Sequence, residues 1–283
     1  MYEIPQKILS LYRRALGIYR EEGFEALLKS IPGKLVLTGK DLYALLYLSR
    51  LRRAVKSEIL LKKIQGNKMY IDLRNPRLSY PLIKYGVWEE DTTRWLKESL
   101  KEGMTVIDIG ANIGYFALIE ARMVGDKGKV YAIEPDPRNI RLLKKNIEIN
   151  NFSHIIKVYS VAISDQNGTD KFYLAKSSNN NSMIALSGDY IEVDTFRLDD
   201  FLRENEIDKE SIDLIRMDIE GYEAKAIEGM TETLKTNTRL KLFIEIHPQL
   251  IGMTGYSVKW ILEKLDVMGF KLKQKGKNYI FEK

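Results

Sequence analysis

The sequence predicts an α/β protein: a Rossmann-like, mostly parallel sheet with an antiparallel C-terminal hairpin, preceded by a helical N-terminal extension. Three observations carry that expectation. From about residue 89 onward, apolar runs of strand length alternate with amphipathic helical stretches, the order of βαβ units. One run, Val106-Ile-Asp-Ile-Gly-Ala-Asn-Ile-Gly-Tyr-Phe116, ends in an acid and enters a helix through two glycines. The final residues, Phe270 to Gln274 and Tyr279 to Glu282, flank a Lys-Gly-Lys-Asn turn and read as a closing hairpin.

Taken in order, residues 5–31 and 41–64 carry apolar side chains at helical spacing. In the first, Ile8, Leu11, Tyr12, Ala15, Leu16 and Tyr19 alternate with Arg13, Arg14 and Arg20, so both segments are expected to be amphipathic helices. Gly66-Asn67 breaks the pattern, Met69 to Leu73 reads as a short strand, and Asn75-Pro76 is turn-prone. The boundary between the extension (1–80) and the α/β domain (81–283) is expected near residue 80. Beyond it the periodicity predicts a helix over 89–101, a strand over 104–109, a helix from 114, a strand over 129–134 and a helix over 137–150. Strands at 155–161, 212–217 and 240–246 follow, with helical stretches at 223–235 and 256–268. Residues 168–174 and 190–196 alternate with period two around the polar Ser177-Ser-Asn-Asn-Asn-Ser182, a β insertion expected to have a mobile tip.

With 283 residues, 45% hydrophobic and 30% charged, the chain can bury a core. It has no cysteine, which excludes disulfides, thiolate zinc sites and cysteine nucleophiles, and leaves His154 and His247 for imidazole chemistry. The net charge of +6 is unevenly placed: residues 1–86 hold 17 Lys/Arg against 7 Asp/Glu, the remainder 28 against 32. A basic extension suits an anionic surface or RNA, although charged helices are commonly just solvated. The opening MYEIPQKILS lacks the basic and apolar regions of a secretory leader, and charges interrupt every apolar run before spanning length. The expected location is cytoplasmic without a transmembrane segment, with a membrane-peripheral position open to the basic extension.

The glycine turn is the strongest local signal. Gly110 permits a tight turn, Gly114 a close helix–strand approach, and the helix start offers amides to an anion. The dinucleotide pattern G-x-G-x-x-G fails, because its later glycine positions are Asn112 and Tyr115, which disfavours a pyrophosphate cofactor. Glu134 ends the neighbouring strand 24 residues after Gly110, where an ionised carboxylate suits paired ribose hydroxyls. Val161 and Ala162, at the end of the third strand, are placed to offer small side chains and backbone groups to an adenine ring.

Here the chain resembles the FkbM family of methyltransferases, on Asp108-Ile-Gly-Ala-Asn-Ile-Gly114, Ile133-Glu-Pro135, Val161-Ala-Ile-Ser-Asp165, Met217-Asp-Ile-Glu-Gly-Tyr-Glu223 and Ile244-Glu-Ile-His247, covering about residues 85–250. The resemblance implies a class I methyltransferase fold, S-adenosylmethionine as cofactor, and O-methylation of hydroxyls on sugars or natural products. The expected cofactor residues are Glu89, in the lead-in Tyr85-Gly-Val-Trp-Glu89, with Asp108, Gly110, Ala111, Asn112, Gly114, Tyr115, Glu134, Pro135, Val161, Ala162 and Asp218. Asp108 is read as the acceptor for the methionine ammonium.

Asp218 and Glu220 leave the fourth strand at the ligand-binding edge, and alternation puts Glu245 and His247 on one side of the fifth. The expected catalytic residues are therefore His247, Asp218 and Glu220, with His247 as general base because its ordinary pKa lies nearest neutrality. Asp218, Glu220 and Glu245 have the hard oxygen ligands magnesium prefers, but their spacing matches no recognised metal motif, so no metal is assigned. The expected acceptor is a hydroxyl-bearing glycan or small molecule. An RNA methyltransferase is the alternative among enzymes, weakened because Asp218-Ile-Glu-Gly stands where exocyclic-amine methylation uses an Asn/Asp-Pro-Pro-aromatic end. A non-catalytic nucleotide-binding scaffold is the alternative outside them.

Overall fold

The computed structural model describes residues 36–174, 181–185 and 188–283. The expected helix at 5–31 and most of the polar tip at 177–182 lie outside the described residues. Contacts divide the chain after Ser57. One unit holds helix α1 (Val36–Val55). The other, Glu58–Lys283, is compact and starts well ahead of the expected boundary near residue 80.

The expected helix over 41–64 therefore ends early, and its last six residues form a strand. Strands β1 (Ile59–Ile64) and β2 (Asn67–Asp72) pair antiparallel with Ile64 opposite Asn67. The two turn residues, Gln65 and Gly66, both have positive φ, the signature of the tight hairpin turn whose twist matches paired strands. Asn75 then caps helix α2 (Pro76–Tyr85), with proline at its first position and left-handed Gly86 closing it. Helix α3 (Glu90–Ser99) lies within the stretch expected to be helical.

The main sheet alternates from there as the sequence predicts: β3 (Thr105–Ile109), α4 (Tyr115–Val124), β4 (Lys129–Ile133), α5 (Pro137–Ile149) and β5 (Ile156–Tyr159). The expected third strand stops at Tyr159, because Ala162 and Ile163 leave the main sheet as β6. With β7 (Gly168–Tyr173) and β8 (Tyr190–Phe196), β6 forms the three-stranded insertion. Helix α6 (Leu198–Glu204) returns the chain to β9 (Leu214–Met217). The expected helical stretch at 223–235 breaks at Met230 into α7 (Glu223–Gly229) and α8 (Thr231–Thr236). After β10 (Lys241–Glu245) come α9 (Pro248–Met253), α10 (Val258–Val267), and the hairpin of β11 (Lys271–Gln274) and β12 (Asn278–Glu282).

The seven-stranded sheet runs β11-β12-β10-β9-β3-β4-β5, with β12 antiparallel to both neighbours and the other contacts parallel. This is the Rossmann-like sheet expected. Its order reverses direction at β3, so the carboxyl ends of β3, β4 and β9 frame the crevice where such sheets take ligands. Ile107, Ile109, Ile215, Met217, Leu242 and Ile244 form the sheet's contribution to the core, all at most 1% exposed. Among the described residues no helix is long and apolar enough to cross a membrane.

The β1/β2 hairpin belongs to this unit because α5 satisfies its open edge. Asn146 Oδ1 accepts from the Tyr70 amide (2.6 Å), while its Nδ2 donates to the carbonyls of Tyr70 (3.2 Å) and Ile113 (2.8 Å). Asn150 does the same for both backbone groups of Lys68, at 2.9 and 2.6 Å. Arg122 on α4 donates to Asn67 Oδ1 and the Gly66 carbonyl. Strand edges left open invite aggregation, and here side-chain amides close this one.

Asn146→Ala would strip three hydrogen bonds from a fully buried side chain and orphan backbone groups. The expected loss is about 2–4 kcal/mol of unfolding free energy by urea denaturation, against under about 1 kcal/mol for Asn150→Ala at the exposed end.

Candidate active site

The glycine turn is forced by a close backbone approach. Gly110, at φ +86°, would place a Cβ 2.1 Å from the Asp218 carbonyl oxygen, so only glycine lets the ends of β3 and β9 meet. At Gly114 the left-handed φ of +90° is the constraint that favours glycine, and the nearest neighbour of an added Cβ would be the movable tip of Leu143 on α5, with Cδ1 at 2.5 Å. The amides of Gly110 and Ala111 both donate to the Ile133 carbonyl, which anchors the turn to β4.

Glu134, 4% exposed, ends β4. Its carboxylate accepts from the amides of Asn112 (2.8 Å) and Asp136 (2.9 Å) and from the Asn139 side chain (3.2 Å). Burial, opposed by the Asp136 amide, raises its pKa to about 7. The flanking Pro135 is partly buried. Asp108 lies wholly under the turn, bound through Oδ1 to Arg216, while Oδ2 is buried with no partner and offers one acceptor for an ammonium. These features fit an amino-acid nucleoside: a ribose at Glu134 and an amino group at Asp108.

Tyr115 and Ala162 have side-chain partners of their own. The Tyr115 hydroxyl accepts from the Trp88 amide (3.2 Å) and pairs with Thr93 (2.9 Å), so it braces the lead-in segment. Ala162 packs with Phe172 and Val193 inside the insertion. Val161 remains partly buried against the main core.

Across the crevice, six carboxylates meet three cations. Arg216, 2% exposed, donates Nη1 to Asp108 (2.8 Å) and Nη2 to Asp218 (3.2 Å), with its guanidinium 4.1 Å over the Phe116 ring. Lys277, from the C-terminal hairpin turn, bridges Glu89 (2.8 Å) and Glu245 (2.7 Å). His247 Nδ1 lies 2.9 Å from Glu223, and its Nε2 lies 3.3 Å from Glu245 and 3.5 Å from Glu220. Burial raises the pKa of Asp218 well above the ordinary value, with Glu245 adding to it and Arg216 opposing. Burial also raises Glu220, against the pull of His247. Glu245 falls to about 2 because its bonds to His247 and Lys277 outweigh its burial.

His247 stands among three carboxylates. Burial alone would lower its pKa, but bonds to Glu223 and Glu245 and the nearby Glu220 raise it to about 11, which favours the charged ring over the free base. His154 is exposed and pairs with Asp126 at 3.0 Å. Atoms of Asp218, Glu220 and His247, and of Glu89, Asp218 and Glu245, lie within 4.8 Å of one another in two trios, the second already sharing Lys277.

Sequence reasoning missed Arg216, Lys277 and Glu223. A lone arginine inside the apolar strand Leu-Ile-Arg-Met was the available signal for the first. Lys277 carried none, since it sits in a lysine-rich turn far along the chain.

A family model described as the methyltransferase FkbM domain matches residues 108–272. Over 185 residues the chain is 33% identical to the 2-O-methyltransferase NoeI of Sinorhizobium fredii, covering 58% of this chain and 72% of that protein. It is 26% identical over 159 residues to the hexuronic acid methyltransferase AglP of Haloferax volcanii, covering 56% of this chain and 62% of that one. The crystal structure of a methyltransferase FkbM from Methylobacillus flagellatus KT aligns with a TM-score of 0.46 and 15% identity, over 100% of this chain and 72% of the other.

Because its folded pKa of about 11 lies above the ordinary 6.5, His247 contributes stability that is full below pH 6.5 and is lost as pH rises through 11. The destabilisation caused by His247→Gln is therefore expected to shrink on going from pH 6 to pH 10, and the His247 ring resonances in the parent should not titrate between pH 5 and pH 9 by NMR.

Proposed function

This chain belongs to the FkbM family of S-adenosylmethionine-dependent methyltransferases, and from that premise we propose that it methylates a hydroxyl of a sugar or glycan. One observation carries the reading most directly: Asp218 and Glu220 stand at the sheet edge against the cofactor turn, with the Asp218 carbonyl filling the space beside Gly110. A hydroxyl held by these acids would lie beside the methyl donor. The names of NoeI and AglP, a 2-O-methyltransferase and a hexuronic acid methyltransferase, support a sugar as acceptor.

In this reading Glu134 accepts from the ribose hydroxyls, the unpartnered Asp108 Oδ2 accepts from the methionine ammonium, and Glu89, Ala111, Asn112 and Pro135 complete the wall. The cofactor supplies, when bound, a methyl group already activated by its sulfonium. What remains for the protein is to align the acceptor oxygen and receive its proton. Asp218 is the proposed proton acceptor, since an ionised carboxylate with a raised pKa is a stronger base than an ordinary one. His247 is the proposed positive clamp that orients Glu220. Residues 1–86, with 17 Lys/Arg against 7 Asp/Glu, are proposed to meet an anionic carrier of the acceptor.

Incubation with labelled S-adenosylmethionine and a panel of sugars, uronic acids and RNA tests the reading. Gain of one methyl on a sugar hydroxyl is expected, and label on RNA alone would refute it. Asp218→Asn should lower turnover about 100-fold at saturating cofactor. Glu134→Ala should weaken cofactor binding by about 1.5–3 kcal/mol in calorimetry. Since the ribose needs the ionised carboxylate, parent affinity should fall as pH drops below about 7, and the variant's should not.

A further inference from the structure

We propose that Arg216 is a positioning residue for methyl transfer, holding Asp218 oriented and ionised for the acceptor's proton while tying it to Asp108 on the cofactor side. The inference rests on the reading of Asp218 given above and adds the residue that makes that carboxylate usable.

Arg216 occupies the middle of an apolar strand and lies directly opposite Asp108 across the β3/β9 pairing. A buried ion pair is poor value as a stabiliser, since well-packed apolar residues of similar volume commonly serve as well or better. What an apolar residue could not supply is the geometry. The planar fork reaches carboxylates on two different chain segments, 2.8 Å to Asp108 and 3.2 Å to Asp218, and the Phe116 face 4.1 Å away fixes its plane. A lysine ammonium at the end of a flexible stem carries the charge without that fork.

The surroundings make the charge necessary. Asp218 is crowded by carboxylates from other elements: Glu245 on β10, Glu89 ahead of α3 and Glu220 on its own turn, each favouring its protonated form. Behind Arg216, Asp108 on β3 and the buried Glu120 on α4 complete the acidic shell, and both Glu120 oxygens have no hydrogen-bond partner. Lys277 and His247 are engaged with Glu89, Glu245, Glu220 and Glu223. Arg216 is the cation in hydrogen-bond contact with Asp218, and without it the aspartate would retain its proton to higher pH.

The test compares Arg216→Lys and the double variant Arg216→Met/Asp108→Asn, which removes the buried charges as a pair, with the parent. Folding is read by thermal unfolding, cofactor affinity by calorimetry, and kcat against pH at saturating cofactor and acceptor. A base must be ionised, so kcat falls as pH drops below its pKa. Loss of the guanidinium should move that decline upward by about one pH unit or more and lower kcat at neutral pH about tenfold or more, with Arg216→Lys lying between parent and double variant. Profiles that superimpose on the parent after correction for folded fraction would reduce Arg216 to a structural role and overturn the proposal, as would failure of both variants to fold. Asp218→Asn separates the two ideas. If it keeps parental turnover, the assignment of Asp218 fails. If it is inactive while the Arg216→Lys profile is unshifted, only the role of Arg216 fails.

Discussion

The Asp218 carbonyl occupies the space where any side chain at position 110 would begin, and the rest of the site depends on that contact. It lets β3 and β9 end level, with Ile109 opposite Met217 and the Asp218 amide donating to the Ile109 carbonyl at 3.1 Å. Level ends bring the cofactor turn and the acidic turn together. They also put Asp108 and Arg216 side by side beneath both, paired at 2.8 Å. Substituting Gly110 would therefore reach the fold and the chemistry through the same atoms.

Above that contact, ionic bridges do the joining that apolar packing does elsewhere in the core. Each cation links segments remote in sequence: Arg216 joins β3 to the turn after β9, Lys277 joins the C-terminal hairpin to the lead-in before α3, and His247 joins the ends of β9 and β10. Carboxylates still outnumber these cations, which suits the proposed binding there of a ligand bearing both an ammonium and a sulfonium. Lys277 makes the last hairpin a wall of the crevice as well as the edge of the sheet.

The sheet was legible because a buried parallel strand writes itself as an apolar run between turn residues, and the acids at strand ends were legible for the same reason. What the sequence left hidden has physical causes too. Residues 59–64 read as helix because Ile59, Leu60, Leu61 and Ile64 suit either period, and the two positive-φ turn residues that settle the matter come after them. Helix α2 was hidden by its own start signal, since Asn75-Pro76 looks like a plain turn until the periodicity of Leu78, Leu82 and Ile83 is counted. For His247, the residue type alone implied a neutral ring, whereas the charge state is set by Glu223, Glu220 and Glu245, which only folding assembles. Tyr115 sits in the right motif but turns its hydroxyl to Trp88 and Thr93, because a helix start offers several directions and sequence position does not choose among them.

The asparagine sockets on α5 carry a consequence for how this enzyme can be divided. On β2, Asn146 and Asn150 bond only to the backbone of Tyr70 and Lys68, while the alternate positions Asn67, Met69 and Ile71 are buried, so sequence freedom is left to the outward-facing side chains. A chain lacking β1 and β2 would keep those sockets, emptied of their strand, and a two-stranded hairpin alone is only marginally ordered in water. The break between such fragments is thus a natural seam for a split enzyme, in which a synthetic hairpin that keeps the buried Asn67, Met69 and Ile71 and varies its outward positions, added in trans, would fold as it docks and restore the missing edge.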